Sequence, residues 1–172
     1  MLTALRHLLA ILILPVVMAV AVPRWLLTRF ELTDSRWSAA ASSLAWPARL
    51  LGGAILVAGL TLFTWCVLLF ARVGRGTLAP WDPTRHLVAV GPYRYVRNPM
   101  ISSVAAVLAG QVLLTGSRVL ALWLLMFVLV NYAYFVFVEE PGLERRFGDP
   151  YRHYKARVPR WIPRQPRPLD AR

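Results

Sequence analysis

The 172-residue chain is 58% hydrophobic and 16% charged, with a mean hydropathy of +0.52, whereas soluble domains carry about a quarter of charged residues. These values exclude an ordinary soluble domain and point to one integral membrane domain over residues 1–172, with no room for a soluble catalytic domain beside four spans of about 20 residues each. The net charge of +12, from 20 Lys and Arg against 8 Asp and Glu, flanks apolar segments without interleaved stacking aromatics, so the expected partner is anionic membrane lipid and not nucleic acid.

The first apolar stretch, residues 8–27, contains Pro15 and weakens at Pro23 and Arg24. Arg6 before it and Ala19-Val20-Ala21 within it imitate a cleavable signal peptide. A retained helix kinked by Pro15 is the favoured reading, because cleavage would leave an odd number of spans and spoil the charge asymmetry described below. Residues 50–71 form a long uncharged span, in which Gly52, Gly53, Ala58 and Gly59 allow another helix to approach closely. Its Cys66 reads as a small packed hydrophobe, and one cysteine permits no disulfide framework within the chain.

The third stretch, residues 99–115, is short and carries Ser102, Ser103, Gly110 and Gln111, so it must pack against protein on at least one face. Gly116-Ser117 predicts a tight turn. The fourth stretch, residues 119–138, spans about 30 Å at 1.5 Å per residue, the thickness of the hydrocarbon core. Only Asn131 interrupts it, and the two segments form a helical hairpin. Beyond it, Leu143, Phe147, Tyr151 and Tyr154 recur at spacings of three and four, which predicts a C-terminal interfacial amphipathic helix. The expected fold is therefore an all-α polytopic membrane bundle of about four transmembrane helices.

Loop charges give an orientation. Fifteen of the 20 cations lie in the N-terminal tip, the 72–98 loop and the tail from residue 139, and five lie on the other side. The positive-inside rule then makes both termini and the 72–98 loop cytoplasmic, in a bacterial inner membrane. This puts the run GPYRYVRNP, residues 91–99, on the same face as Glu139 and Glu140. Adjacent carboxylates at the end of a span repel one another and are costly to desolvate. They either pair with Arg94, Arg97, Arg145 or Arg146, or one of them binds the cationic end of a ligand. Asn131, Phe135 and Glu139 fall on one face at helical spacing, a line expected to point into the bundle. In the loop, Asn98-Pro99 ends an aromatic and arginine-rich turn and starts the third helix. His7, His86 and His153 are scattered and give no metal-ligand spacing, so no metal is expected.

Two blocks carry a family resemblance. The run HLVAVGPYRYVRNPM, His86 to Met100, resembles the cofactor block of the isoprenylcysteine carboxyl methyltransferase and phospholipid methyltransferase superfamily. The run VEEPGLERRFGDPYRHYKARVPRWIP, Val138 to Pro163, resembles its terminal block of Glu-Glu, Leu, Phe-Gly, Tyr, Tyr and Val-Pro-Arg. The resemblance implies a membrane methyltransferase that uses S-adenosylmethionine on a lipophilic acceptor: a lipid amine, a prenylcysteine-like carboxylate or a small thiol. It implies a cofactor site of His86, Leu87, Val88, Tyr93, Asn98, Pro99 and Glu139. Glu139 and Glu140 are the implied catalytic carboxylates, and Arg97 and Asn131 are placed toward substrate or headgroup. Asn98 stands where the family often has His, Ile101 and Ser103 where Tyr and Gly are common, and Phe135 where prenylcysteine enzymes carry an arginine. Two other readings are an NADPH-dependent sterol-type membrane reductase, whose terminal block is similar, and a non-enzymatic protein that binds anionic lipid.

Overall fold

The computed structural model describes residues 15–30, 45–69, 72 and 87–164. Among the described residues the structure is helical, with no strand. A π turn, Val17–Ala21, leads into α1, Val22–Phe30. Helix α2 is Ala45–Leu69, and a 3-10 turn, Gly91–Arg94, precedes α3, Pro99–Thr115. Helix α4, Arg118–Tyr134, runs through a second π turn, Phe135–Glu139, into α5, Glu140–Phe147, and α6 is Asp149–Arg157. Helix α2 and the continuous run Arg118–Phe147 are long and apolar enough to cross a membrane, and α3 is apolar but shorter. The first expected span, residues 8–27, is described only from residue 15.

Helix α3 is the centre of the bundle. Its Met100, Ser103, Val104, Val107, Leu108 and Gly110 are buried, as the polar and small residues in its sequence required. It packs on α2 at backbone distance. A Cβ on Gly110 would lie 2.7 Å from the Gly52 carbonyl oxygen, and one on Gly59 would lie 2.9 Å from the Ser103 oxygen. Gly53, also expected to serve this approach, has nothing within 4 Å of its Cβ position. In lipid there is no water to expel between helices, so such close contact supplies the association through van der Waals packing. Ala19, Val104, Val107, Leu108 and Phe127 form the main apolar cluster.

The hairpin closes as its turn residues dictate. Gly116 adopts φ 71°, open to glycine at little cost, and its N–H donates to the Val112 oxygen at 2.7 Å. Ser117 caps α4 by accepting from Leu120 N at 3.0 Å.

The kink expected at Pro15 bears on the turn before it, outside the described residues; the distortion that is described is the π turn Val17–Ala21. It lies just ahead of Pro23, which has no N–H for the carbonyls one turn back. The Met18 carbonyl instead accepts from Trp123 Nε1 at 3.0 Å, and the Ala19 carbonyl accepts from Gln111 Nε2 at 2.7 Å. Two side chains from the hairpin thus complete the backbone of the first helix, as a lipid-embedded proline requires. The expected single amphipathic helix of the tail is also two helices. Gly148, at φ 58° and ψ −132°, together with Pro150 breaks it between α5 and α6.

Candidate functional site

The loop before α3 is shaped by glycine and proline. Gly91 has φ 58°, and a Cβ there would meet Leu69 Cδ1 at 2.8 Å and the Trp65 ring at 3.5 Å. Pro92 starts the 3-10 turn, whose Tyr93 N donates to Val90 O and Tyr95 N to Pro92 O. The turn drives Tyr93 inward, where it is 7% exposed and packs with Cys66, Val88 and Met100. Asn98 then caps α3, its Oδ1 accepting from Ile101 N at 3.4 Å, while Pro99 occupies the first turn. Asn98 is buried, and its Nδ2 has no acceptor among the described residues.

The tail folds back over this loop. Arg97 N donates to the Pro159 oxygen at 2.9 Å, Arg164 N to the Tyr95 oxygen at 3.4 Å, and the Tyr154 hydroxyl to the Tyr93 oxygen at 2.7 Å. Trp161 meets the buried Phe135 ring edge-on at 6.4 Å. Segments some sixty positions apart thereby form one surface.

The glutamate pair is split by the π turn. Hydrogen bonds from i to i+5 insert one residue relative to the α period, so the line Asn131, Phe135, Glu139 does not continue inward as expected. Phe135 is buried at 2% exposure, Glu139 is exposed and Glu140 is buried. Arg160 grips Glu140 through Nε to Oε1 at 2.7 Å and Nη2 to Oε2 at 3.2 Å. Arg97 Nη1 stands 2.9 Å from Oε1 and Lys155 Nζ 3.4 Å from Oε2. Burial alone would raise the Glu140 carboxyl, but the Arg160 hydrogen bonds and the charges of Arg97, Arg160 and Lys155 outweigh it and hold it below the usual carboxylate range. Glu139 is in none of the ion pairs formed among the described residues. It lies next to Glu140, at the end of the π turn where the fourth apolar run passes into the tail.

Of the expected cofactor residues, Val88, Tyr93, Asn98 and Pro99 are buried in the loop and Leu87 is half-buried. His86 lies outside the described residues. Asn131 is half-buried and donates its Nδ2 to the Phe127 oxygen of its own helix at 2.8 Å. Arg97 stands at the Glu140 cluster, one of the four arginines considered as partners for these carboxylates. Sequence reasoning assigned no place in the site to Arg160, Lys155, Tyr151, Tyr154 or Trp161. The Val-Pro-Arg string, Val158 to Arg160, was the available signal, since Pro159 supplies the carbonyl and Arg160 the guanidinium. No group of His, Cys, Asp and Glu among the described residues could hold a metal ion.

An uncharacterized protein of Haemophilus influenzae is 36% identical over 63 residues, which is 37% of this chain and the whole of that protein. No solved structure matches the chain. The family model described as phospholipid methyltransferase matches residues 47–150, from the start of α2 through the loop, the hairpin and the glutamate pair. A match over more than half of the chain makes the chain a member of the phospholipid methyltransferase family.

Proposed function

We propose that the protein is an S-adenosylmethionine-dependent membrane methyltransferase whose cofactor binds where the 87–98 loop, the start of α3 and Glu139 come together. The observation that carries this is the division of labour in the glutamate pair: Glu140 is ion-paired with three cations, while Glu139 is in no ion pair among the described residues. A carboxylate at Glu139 in no ion pair among the described residues, and a buried amide at Asn98 Nδ2 with no acceptor among them, fit a ligand that presents both an ammonium group and hydrogen-bond acceptors. Bound there, the cofactor would supply an activated methyl group.

Within this reading Glu139 binds the cofactor's ammonium end, Asn98 holds an acceptor atom at the helix start, and Val88 and Tyr93 give an apolar wall for the nucleoside. The Tyr154 bond to the Tyr93 carbonyl and the Arg97 bond to Pro159 fix that wall in place. Glu139 is also the carboxylate free to accept a proton from an amine acceptor, whereas a carboxylate or thiolate acceptor needs no base. The acceptor is lipophilic and enters from the bilayer. Four spans, cytoplasmic termini and a bacterial inner membrane complete the proposal, supported by the loop charges.

Thermal melts of the purified protein test it. S-adenosylmethionine or its demethylated product raises the melting temperature, and a nicotinamide dinucleotide does not. Loss of a hydrogen bond to a charged group is worth about 1.5–3 kcal/mol, so Glu139→Ala weakens cofactor binding by roughly 10- to 150-fold. Unchanged cofactor affinity in that variant removes Glu139 from the site.

A further inference from the structure

The tail returns to the flank of the last apolar run. Tyr132, Phe135 and Glu140 follow one another along that continuous helical stretch, and eight residues at 1.5 Å rise put about 12 Å between the first and the last. Arg160 reaches both ends of this stretch, since it grips Glu140 and also hydrogen-bonds the Tyr132 hydroxyl. Trp161 meets Phe135 edge-on, and Phe135 lies three residues inside the end of the run 119–138. These tail residues therefore sit beside the helix at the level where its apolar sequence ends, not in water beyond it. Ile162 follows, and at 78% exposure it is the most exposed large apolar side chain among the described residues, with Phe137 of the run at 76%. An isolated apolar residue on a soluble face needs no explanation. This one adjoins a tryptophan packed on a helix whose Tyr132, Tyr134, Phe137 and Val138 are themselves exposed. Helix α6 offers no such contact: Tyr151 and, at its end, Val158 are buried, and its exposed positions beyond Pro150 are Arg152, His153, Ala156 and Arg157.

We propose that residues 161–163 are a second membrane contact of this protein, a short non-helical segment seated at the boundary of acyl chains and headgroups beside the Glu139 end of the run. Trp161 supplies the amphipathic ring favoured at that level, and Arg160 and Arg164 on either side keep their charges among polar groups. The backbone fixes the depth. Arg97 N donates to the Pro159 oxygen and Arg164 N to the Tyr95 oxygen, but between those ties the N–H groups of Trp161 and Ile162 make no backbone hydrogen bond among the described residues. Hydrocarbon would leave them bare, whereas the hydrated headgroup layer serves them. The backbone therefore stays in the interface, and only the Ile162 side chain dips toward the acyl chains. This contact depends on the membrane-spanning run and is independent of the cofactor reading.

The one native cysteine, Cys66, is wholly buried, so Ile162→Cys offers a thiol-reactive, environment-sensitive dye a single accessible site. The full chain is labelled in nanodiscs of phosphatidylcholine, which leave both membrane faces open to solvent. Phe137→Cys is the lipid-facing reference, Arg157→Cys the aqueous one, and wild type the labelling background. The dye at 162 emits to the blue of that at 157 and, as at 137, loses more emission to a nitroxide carried on the lipid acyl chain than to iodide in the buffer. Red-shifted emission quenched mainly by iodide, as at 157, overturns the proposal. So does a dye protected from both quenchers, the outcome if another part of the chain or a second copy covers Ile162. Because Ile162 is exposed, its replacement removes little packing, and Pro163→Cys, also at an exposed position, gives an independent reading of the same segment.

Discussion

Glu140→Gln is the most informative single change, because it keeps the shape of the side chain and removes only its charge. The carboxylate is 3% exposed and the Arg97 side chain facing it is 7% exposed. Breaking a buried ion pair from one side costs about 3–5 kcal/mol, since the remaining charge stays desolvated. For a chain of this size each kcal/mol moves the midpoint by roughly 2–4 °C, so the variant should melt roughly 6–20 °C below wild type. The other partners set an internal scale. Arg160 is 35% exposed and makes two hydrogen bonds, so Arg160→Gln should cost about 1–2 kcal/mol after allowance for solvent screening. Lys155 is 37% exposed at 3.4 Å and is shared with Glu144, so Lys155→Gln should cost less than about 1 kcal/mol. Thermal melts in one detergent give the order, and the Glu140→Gln, Arg97→Met double variant should recover part of the loss by removing both buried charges. A Glu140→Gln protein that melts with Lys155→Gln would refute the claim that burial makes this cluster the clamp between tail and loop.

The same carboxylate sets an acid limb. Its pKa is depressed in the folded state, so its contribution to stability is full above the unfolded value near 4.3 and is lost as pH falls through the lower folded value; melts against pH should show this loss in wild type and a flatter profile in Glu140→Gln. Gly110→Ala puts a Cβ 2.7 Å from the Gly52 oxygen and should destabilise by about 1–3 kcal/mol through overpacking, whereas Gly53→Ala, with nothing within 4 Å, should leave the melt within about 0.5 kcal/mol of wild type. Gln111→Leu should cost roughly 0.6–2 kcal/mol by removing the donor to the Ala19 carbonyl, and less in a Pro23→Ala background, where a restored N–H competes for that carbonyl; equal costs in the two backgrounds would count against the assignment of the π turn to Pro23.

Much of the architecture is legible in the residues, and the failures share a cause. Gly116-Ser117 marks the hairpin because a left-handed residue followed by a hydroxyl cap has few other uses, and the polar spots of α3 announce its burial. Period-based reading fails where the period changes. It carries Glu139 inward along the line from Asn131, but the π turn over Phe135–Glu139 spends one extra residue and delivers Glu140 to the interior instead. Nor does any local pattern reveal that Val158 to Arg160 docks on the loop, because its carbonyl and guanidinium find partners 62 and 20 residues away. Contacts of that kind are tertiary, and proline and arginine in a tail look the same with or without them.

The two carbonyls ahead of Pro23 that accept from side chains also set a schedule for assembly. Their donors, Gln111 and Trp123, lie 92 and 105 residues further along the chain, and at synthesis rates of about 5–20 residues per second that gap lasts roughly 5–20 s. Over that interval the Met18 and Ala19 carbonyls lack the side-chain donors that reach them in the finished fold. The segment ahead of Pro23 is therefore finished only once the hairpin has been made, and its final packing depends on helices that follow it by some ninety residues or more.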